Sequence, residues 1–183
     1  MIRAEVPGAV IYNSQYTGTT LSSAVGSMDH IWMLHPVRWQ GELTYNGQAV
    51  QEGDVAFYGP GGIHSTKGTD KDVMSVAFDR SAMERALAAL TQADPPAMAG
   101  LSAVLRVPGA LSAQSKGLMQ SLMATLIHEP ENLDNPAAAV ALTQCLQTML
   151  LNTLEAASPA RTIRSARTAV SQSKVLRRAA EYL

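Results

Sequence analysis

The sequence predicts an α+β fold, with an antiparallel β-barrel or sandwich over residues 1–80 and a segment of about three helices over 81–157. Three observations predict it. Short runs of β-branched and aromatic residues alternate with turn signals as far as Asp79. Apolar residues then recur at helical intervals from Met83 to Leu154. The chain has 183 residues, 46% of them apolar, enough for one domain with a real core.

The strands come first. In ELTYNGQAV, Asn46-Gly47 separates two strand-like runs, and this pair supplies the two positive-φ positions of a type I′ hairpin. In EGDVAFYGPGGIHS, Gly53 permits a tight turn, Val55–Tyr58 is a short strand, and Gly59–Gly62 is a loop. DVMSVAFD is a further strand, with Met74, Val76 and Phe78 on one face. Many short antiparallel strands in a small space point to a barrel or sandwich.

Helices follow. Ser81-Ala82-Met83-Glu84 fits a capping box, and Met83, Ala86, Leu87 and Leu90 form a stripe that Asp94-Pro95-Pro96 ends. Residues 97–111 read as irregular. A second helix spans about Lys116–His128, with apolar pairs every four residues, and Pro130 closes it. His128 suits its C-terminal end, where the helix dipole favours a cation. Asn135-Pro136 opens a third helix, reaching about Glu155, with Asn as N-cap and Pro at the first position. Its apolar set covers more than one face. One side is expected to meet the barrel, and the other, with Leu142, Leu146, Met149 and Leu150, a second copy of the chain.

The net charge of −1 hides an asymmetry: residues 1–160 carry 8 basic and 14 acidic side chains, and residues 161–183 carry 6 and 1. An acidic body does not hold nucleic acid by charge. Residues 158–173 have linker composition, and Val175, Leu176, Ala179 and Leu183 trace a last amphipathic helix. The N-terminus lacks an apolar run of signal-peptide length, and no stretch approaches about 18 uninterrupted apolar residues. The single cysteine, Cys145, cannot form an internal disulfide. A cytoplasmic location without membrane attachment is the expectation.

The order of strand-rich part, helices, basic linker and opening helix resembles the AraC family of bacterial transcription regulators. The most specific stretch is GELTYNGQAVQEGDVAFYGPGGIH, which looks like the hairpin and Gly-Asp turn of that family's cupin-like effector domain. KVLRRAAEYL looks like the first helix of its DNA-binding domain, 174–183 here, whose two helix-turn-helix units are absent from the sequence. The resemblance implies a cupin-like barrel that binds a small organic effector, a homodimer, and DNA contact only through that further domain.

Enzyme chemistry finds less support. Catalytic cupins hold a metal through a His-x-His pair, a Glu and a later His. His64 is near the later position, but His30 and His35 are five apart, which puts them on opposite faces of a strand. Glu42 without a paired His reads as a solvent-facing residue. Cys145, mid-helix in the apolar set, reads as a small hydrophobe. No Gly-x-Ser-x-Gly, phosphate loop or dinucleotide fingerprint appears. The expectation is no cofactor and no metal, with a metal-dependent cupin enzyme or a stand-alone interaction module as alternatives. A barrel of this size encloses one ligand. The candidate contacts are Trp32, Arg38, Trp39, Tyr45, Tyr58 and His64, although the aromatics singly serve equally well as core. Trp32 and Leu34 share a face, while Phe57 and Tyr58 face opposite ways; which face is interior stays open.

Overall fold

The computed structural model describes residues 1–91, 102–129, 131 and 134–157. The stretch 158–173, the tail helix 174–183, the Asp94-Pro95-Pro96 stop and Pro130 lie outside the described residues. The strands are β1 (Ile2–Val6), β2 (Ala9–Gln15), β3 (Thr19–Val25), β4 (His30–Tyr45), β5 (Gln48–Ala49), β6 (Val55–Tyr58), β7 (Ile63–Asp79) and β8 (Ser102–Leu105). The helices are α1 (Arg80–Thr91), α2 (Gly109–His128) and α3 (Pro136–Ala156). All strand pairs are antiparallel, in the order β1-β2-β7-β4-β6-β8, so the α+β reading holds, with a sheet that is open rather than closed. β3 pairs with Ile63–Thr69 of β7, and β5 with the end of β4.

Local chemistry fixes the joints. Asn46 and Gly47 take φ of 49° and 75°, and Tyr45 faces Gln48 across them, the expected hairpin. Asn135 caps α3, its side-chain oxygen accepting from the backbone N–H groups of Ala137 and Ala138. At α1 the capping differs from expectation. The Asp79 carboxylate accepts from the Ala82 N–H at 2.8 Å and from the Ser81 hydroxyl, while Glu84 takes the Arg80 guanidinium. β7 runs straight into α1 at Arg80, which puts Asp79 at the cap position and Ser81 inside the first turn.

The region read as irregular contains β8 and the start of α2. Ser102–Leu105 is too short to show a period; it is defined by pairing with Val55–Tyr58, all four of which are buried. α2 begins at Gly109 rather than near Lys116, because its first two turns are small and polar and carry little apolar signal.

Alternation divides the sheet. One face sends Ile11, Ile31, Met33, Val55, Phe57, Val76 and Phe78 against Met83, Met119, Leu146 and Leu150 of the helices, all essentially inaccessible. Each such side chain contributes about 1.5–3 kcal/mol. The other face carries a second cluster, with Leu43, Tyr45, Val50, Ala56 and Tyr58 at its centre and Trp32, Leu34 and Trp39 packed on it. Phe57 and Tyr58 therefore do point oppositely.

The dimer surface expected on α3 is corrected. Leu146, Met149 and Leu150 are buried in the chain's own core, and Leu142 is partly buried against it. One face of α3, with Ala139, Thr143, Leu146, Met149, Leu150 and Thr153, is buried, Leu142, Leu151 and Leu154 pack at its edge, and the exposed side carries Val140, Ala141, Gln144 and Cys145. Cys145 is exposed, not a core hydrophobe. By length and a mean hydropathy of 1.2, α3 would also be long enough to cross a membrane. Here it packs on the sheet, and the Thr143 hydroxyl donates to the Pro7 carbonyl at 2.7 Å.

Candidate functional site

β7 builds the site by changing face midway. Asp70 sits at φ 45°, in the left-handed region that Asp tolerates. Opposite it, Arg38 and Gln40 of β4 face Asp72 and Thr69, so β7 takes one residue more than β4. This is a bulge, and it reverses the alternation. His64 and Thr66 before it, and Lys71, Val73 and Ser75 after it, all line one cavity of about 270 Å³. Strand β2 adds Tyr12 and Ser14, β3 Ser22, β4 Trp32 and Leu34, and β6 Tyr58.

A row of rings walls this cavity. Tyr12 and Trp32 are 5.4 Å apart, Trp32 and Tyr58 5.6 Å, and Tyr58 and His64 4.5 Å, with interplanar angles of 23°, 10° and 23°. Gly26 lets the row form, since a Cβ there would lie 2.8 Å from Tyr58 Cε2. Burial, reinforced by Tyr45 and Tyr12, pushes the Tyr58 phenol well above its usual range, so it stays protonated. Burial and the Lys71 charge hold His64 below the usual histidine range. A neutral imidazole offers one donor and one acceptor.

Two buried polar atoms of this wall, Trp32 Nε1 and His64 Nδ1, have no hydrogen-bond partner among the described residues. Buried polar atoms are nearly always paired, so an orphan in a cavity wall marks a place where a ligand or water bonds. Lys71 is 2% exposed; its Nζ donates to Thr66 Oγ1 at 2.7 Å and lies 4.8 Å from the Tyr16 ring centroid. Lys71 and Tyr16 also border a second cavity of about 250 Å³ with Arg38, Gln40, Asp70 and Asp72.

Of the six candidate contacts, the structure brings Trp32, Tyr58 and His64 together in the first cavity. Arg38 lies on the rim of the second, its guanidinium 3.3 Å from the Asp72 carboxylate. Tyr45 and Trp39 line neither: Tyr45 is buried behind His64, ring centroids 6.3 Å apart, and Trp39 packs on the cluster around Leu43. Sequence reasoning missed Tyr12 and Lys71. Lys71 was detectable as a charge in phase with Val73 and Ser75 on the face opposite Met74, Val76 and Phe78, but the bulge that aligns it with His64 has no sequence signature beyond Asp70. His35 lies on the other, helix-facing side of the sheet. Among the described residues no three His, Cys, Asp or Glu side chains gather as a metal site.

No protein-family model matches the sequence, and no curated protein matches it. In structure the chain is similar to the AraC-like transcriptional activator CuxR, with a TM-score of 0.60 and 10% identity. The match covers 84% of this chain and 54% of that one, so this chain spans about half the neighbour's length. At that identity the likeness is one of fold.

Proposed function

We propose that the chain is the effector-sensing part of an AraC-type transcription regulator and binds a small organic molecule in the cavity walled by Tyr12, Trp32, Tyr58 and His64. The observation that carries this reading is the orphaned pair Trp32 Nε1 and His64 Nδ1 in an aromatic wall: affinity comes from the rings, and orientation from the two polar atoms. The fold likeness to an AraC-like activator supports the regulatory setting, and the family resemblance of the sequence points the same way. Homodimerisation, and DNA contact through a further domain, belong to the same proposal. Any dimer contact on α3 falls on Val140, Ala141 and Cys145 rather than on the buried Leu146, Met149 and Leu150.

A thermal-shift screen tests it. A binder stabilises the folded chain by mass action, by about 2.7 kcal/mol at a hundred times its Kd, and so raises the melting temperature. Trp32→Ala and Tyr58→Ala should each abolish the shift, while Trp39→Phe keeps it. A binder indifferent to Trp32 and Tyr58 would place the site elsewhere.

A further inference from the structure

The charges around the cavity say more than its rings. Arg3, 6.0 Å from the Tyr12 ring, is paired with Glu5. Arg38 is paired with Asp72. Lys71 lies deeper than either and has no carboxylate partner among the described residues; one hydroxyl, Thr66 Oγ1, and the face of Tyr16 are what its ammonium meets. An ammonium has three N–H donors, and a buried one lacking a counter-ion is costly. Cations are also weakly held by ring faces, which places the charge without neutralising it.

Resting on the effector reading above, we infer that the cavity takes a small organic anion, with its charged group on Lys71 and a flat apolar body along Trp32 and Tyr58. Trp32 Nε1–H is a second donor for the same ligand. The volume of about 270 Å³ lies just below the common range of ligand cavities, about 300–1,000 Å³, and suits one or two fused rings. Burial lowers the pKa of Lys71, so a bound anion does double duty: it restores a counter-charge and stabilises the ammonium form. A carboxylate and a phosphate share this chemistry.

The test is a tryptophan-fluorescence titration of the full chain with benzoate, 2-naphthoate and phenyl phosphate against benzamide and 2-naphthamide. Each acid and its amide have nearly the same shape and differ in charge. An anion preference of roughly ten- to a hundredfold is expected, the worth of a charged hydrogen bond. Comparing the carboxylates with phenyl phosphate tells which head group the site prefers. Lys71→Met keeps the stem and removes the charge, so it should collapse the preference to within threefold, and Lys71→Arg should retain it. Amides that bind as tightly as the acids, or a preference that survives Lys71→Met, would overturn the anion inference while leaving the effector site in place. If Lys71→Met fails to fold, the acid-to-amide ratio of the wild type decides alone. Absence of binding by every probe at millimolar concentration would count against both readings.

Discussion

His35 sits on the helix-facing side of β4, 3% exposed, with Nε2 unpartnered among the described residues. Burial, and secondarily the Lys116 charge, lowers its pKa to about 4 from the usual 6.5. The unfolded chain therefore takes up this proton near pH 6.5 and the folded chain does not until about pH 4. Stability is complete above pH 6.5 and is lost as the pH falls toward 4, by about 2 kcal/mol between pH 7 and pH 5. Urea unfolding at those two pH values should show that loss, and His35→Gln should remove most of it; an unchanged slope would mean that His35 is already protonated or solvated in the fold. Gly26 is a second single-residue test. Its neighbour is the rigid face of Tyr58, so Gly26→Ala must displace the ring. Effector affinity should fall at least tenfold while the melting temperature moves by a few degrees, and an unaltered Kd would show that Tyr58 is not part of the wall.

At the scale of elements, α3 gives the sharpest contrast. Leu150→Ala should destabilise the chain by about 2–5 kcal/mol, because a fully buried leucine leaves a cavity behind. Val140→Glu, on the exposed side, should change the protomer's own stability by no more than about 0.5 kcal/mol, while weakening any dimer that uses this face. If Leu150→Ala merely dissociated a dimer without lowering the melting temperature, the packing of α3 would be reversed. Asp79→Ala should cost about 0.5–2 kcal/mol through loss of the α1 cap, and Ser81→Ala clearly less. The elements show which signals a sequence carries. Asn46-Gly47, Asn135-Pro136 and the Met74, Val76, Phe78 alternation were legible because each is local: a turn conformation, a cap, a face. β8 was not, since four residues become a strand only by pairing with β6. The inward side of α3 was not either, since an apolar helix does not say whether its second face meets its own core or another chain. The site was half legible for the same reason: Trp32, Tyr58 and His64 stand out as residue types, whereas Lys71 reaches them only through the bulge at Asp70.

The whole molecule divides its work by face and by length. The helix-facing side of the sheet holds the fold together, and the opposite face holds the cavity. Residues 1–160 carry 8 basic against 14 acidic side chains, and only the 6 cations of residues 161–183 offset that balance. DNA contact by this chain should therefore be weak, blind to sequence and steeply reduced by salt. A fluorescence-anisotropy titration at physiological salt should find no preference between promoter fragments and random DNA; a reproducible preference would assign sequence reading to these 183 residues. Sedimentation at micromolar concentration should give a dimer, and a monomer would remove that part of the proposal. The central claim is that an effector binds against the Trp32 wall, and the chain contains two tryptophans, one in the wall and one outside it. Amide-correlation NMR resolves the two indole N–H signals, assigned by Trp39→Phe. On titration with a compound that raises the melting temperature, the Trp32 indole signal should shift with the binding isotherm while the Trp39 signal stays in place. A stabilising ligand that leaves the Trp32 indole unmoved, or moves Trp39 instead, would contradict the assignment of this cavity as the effector site.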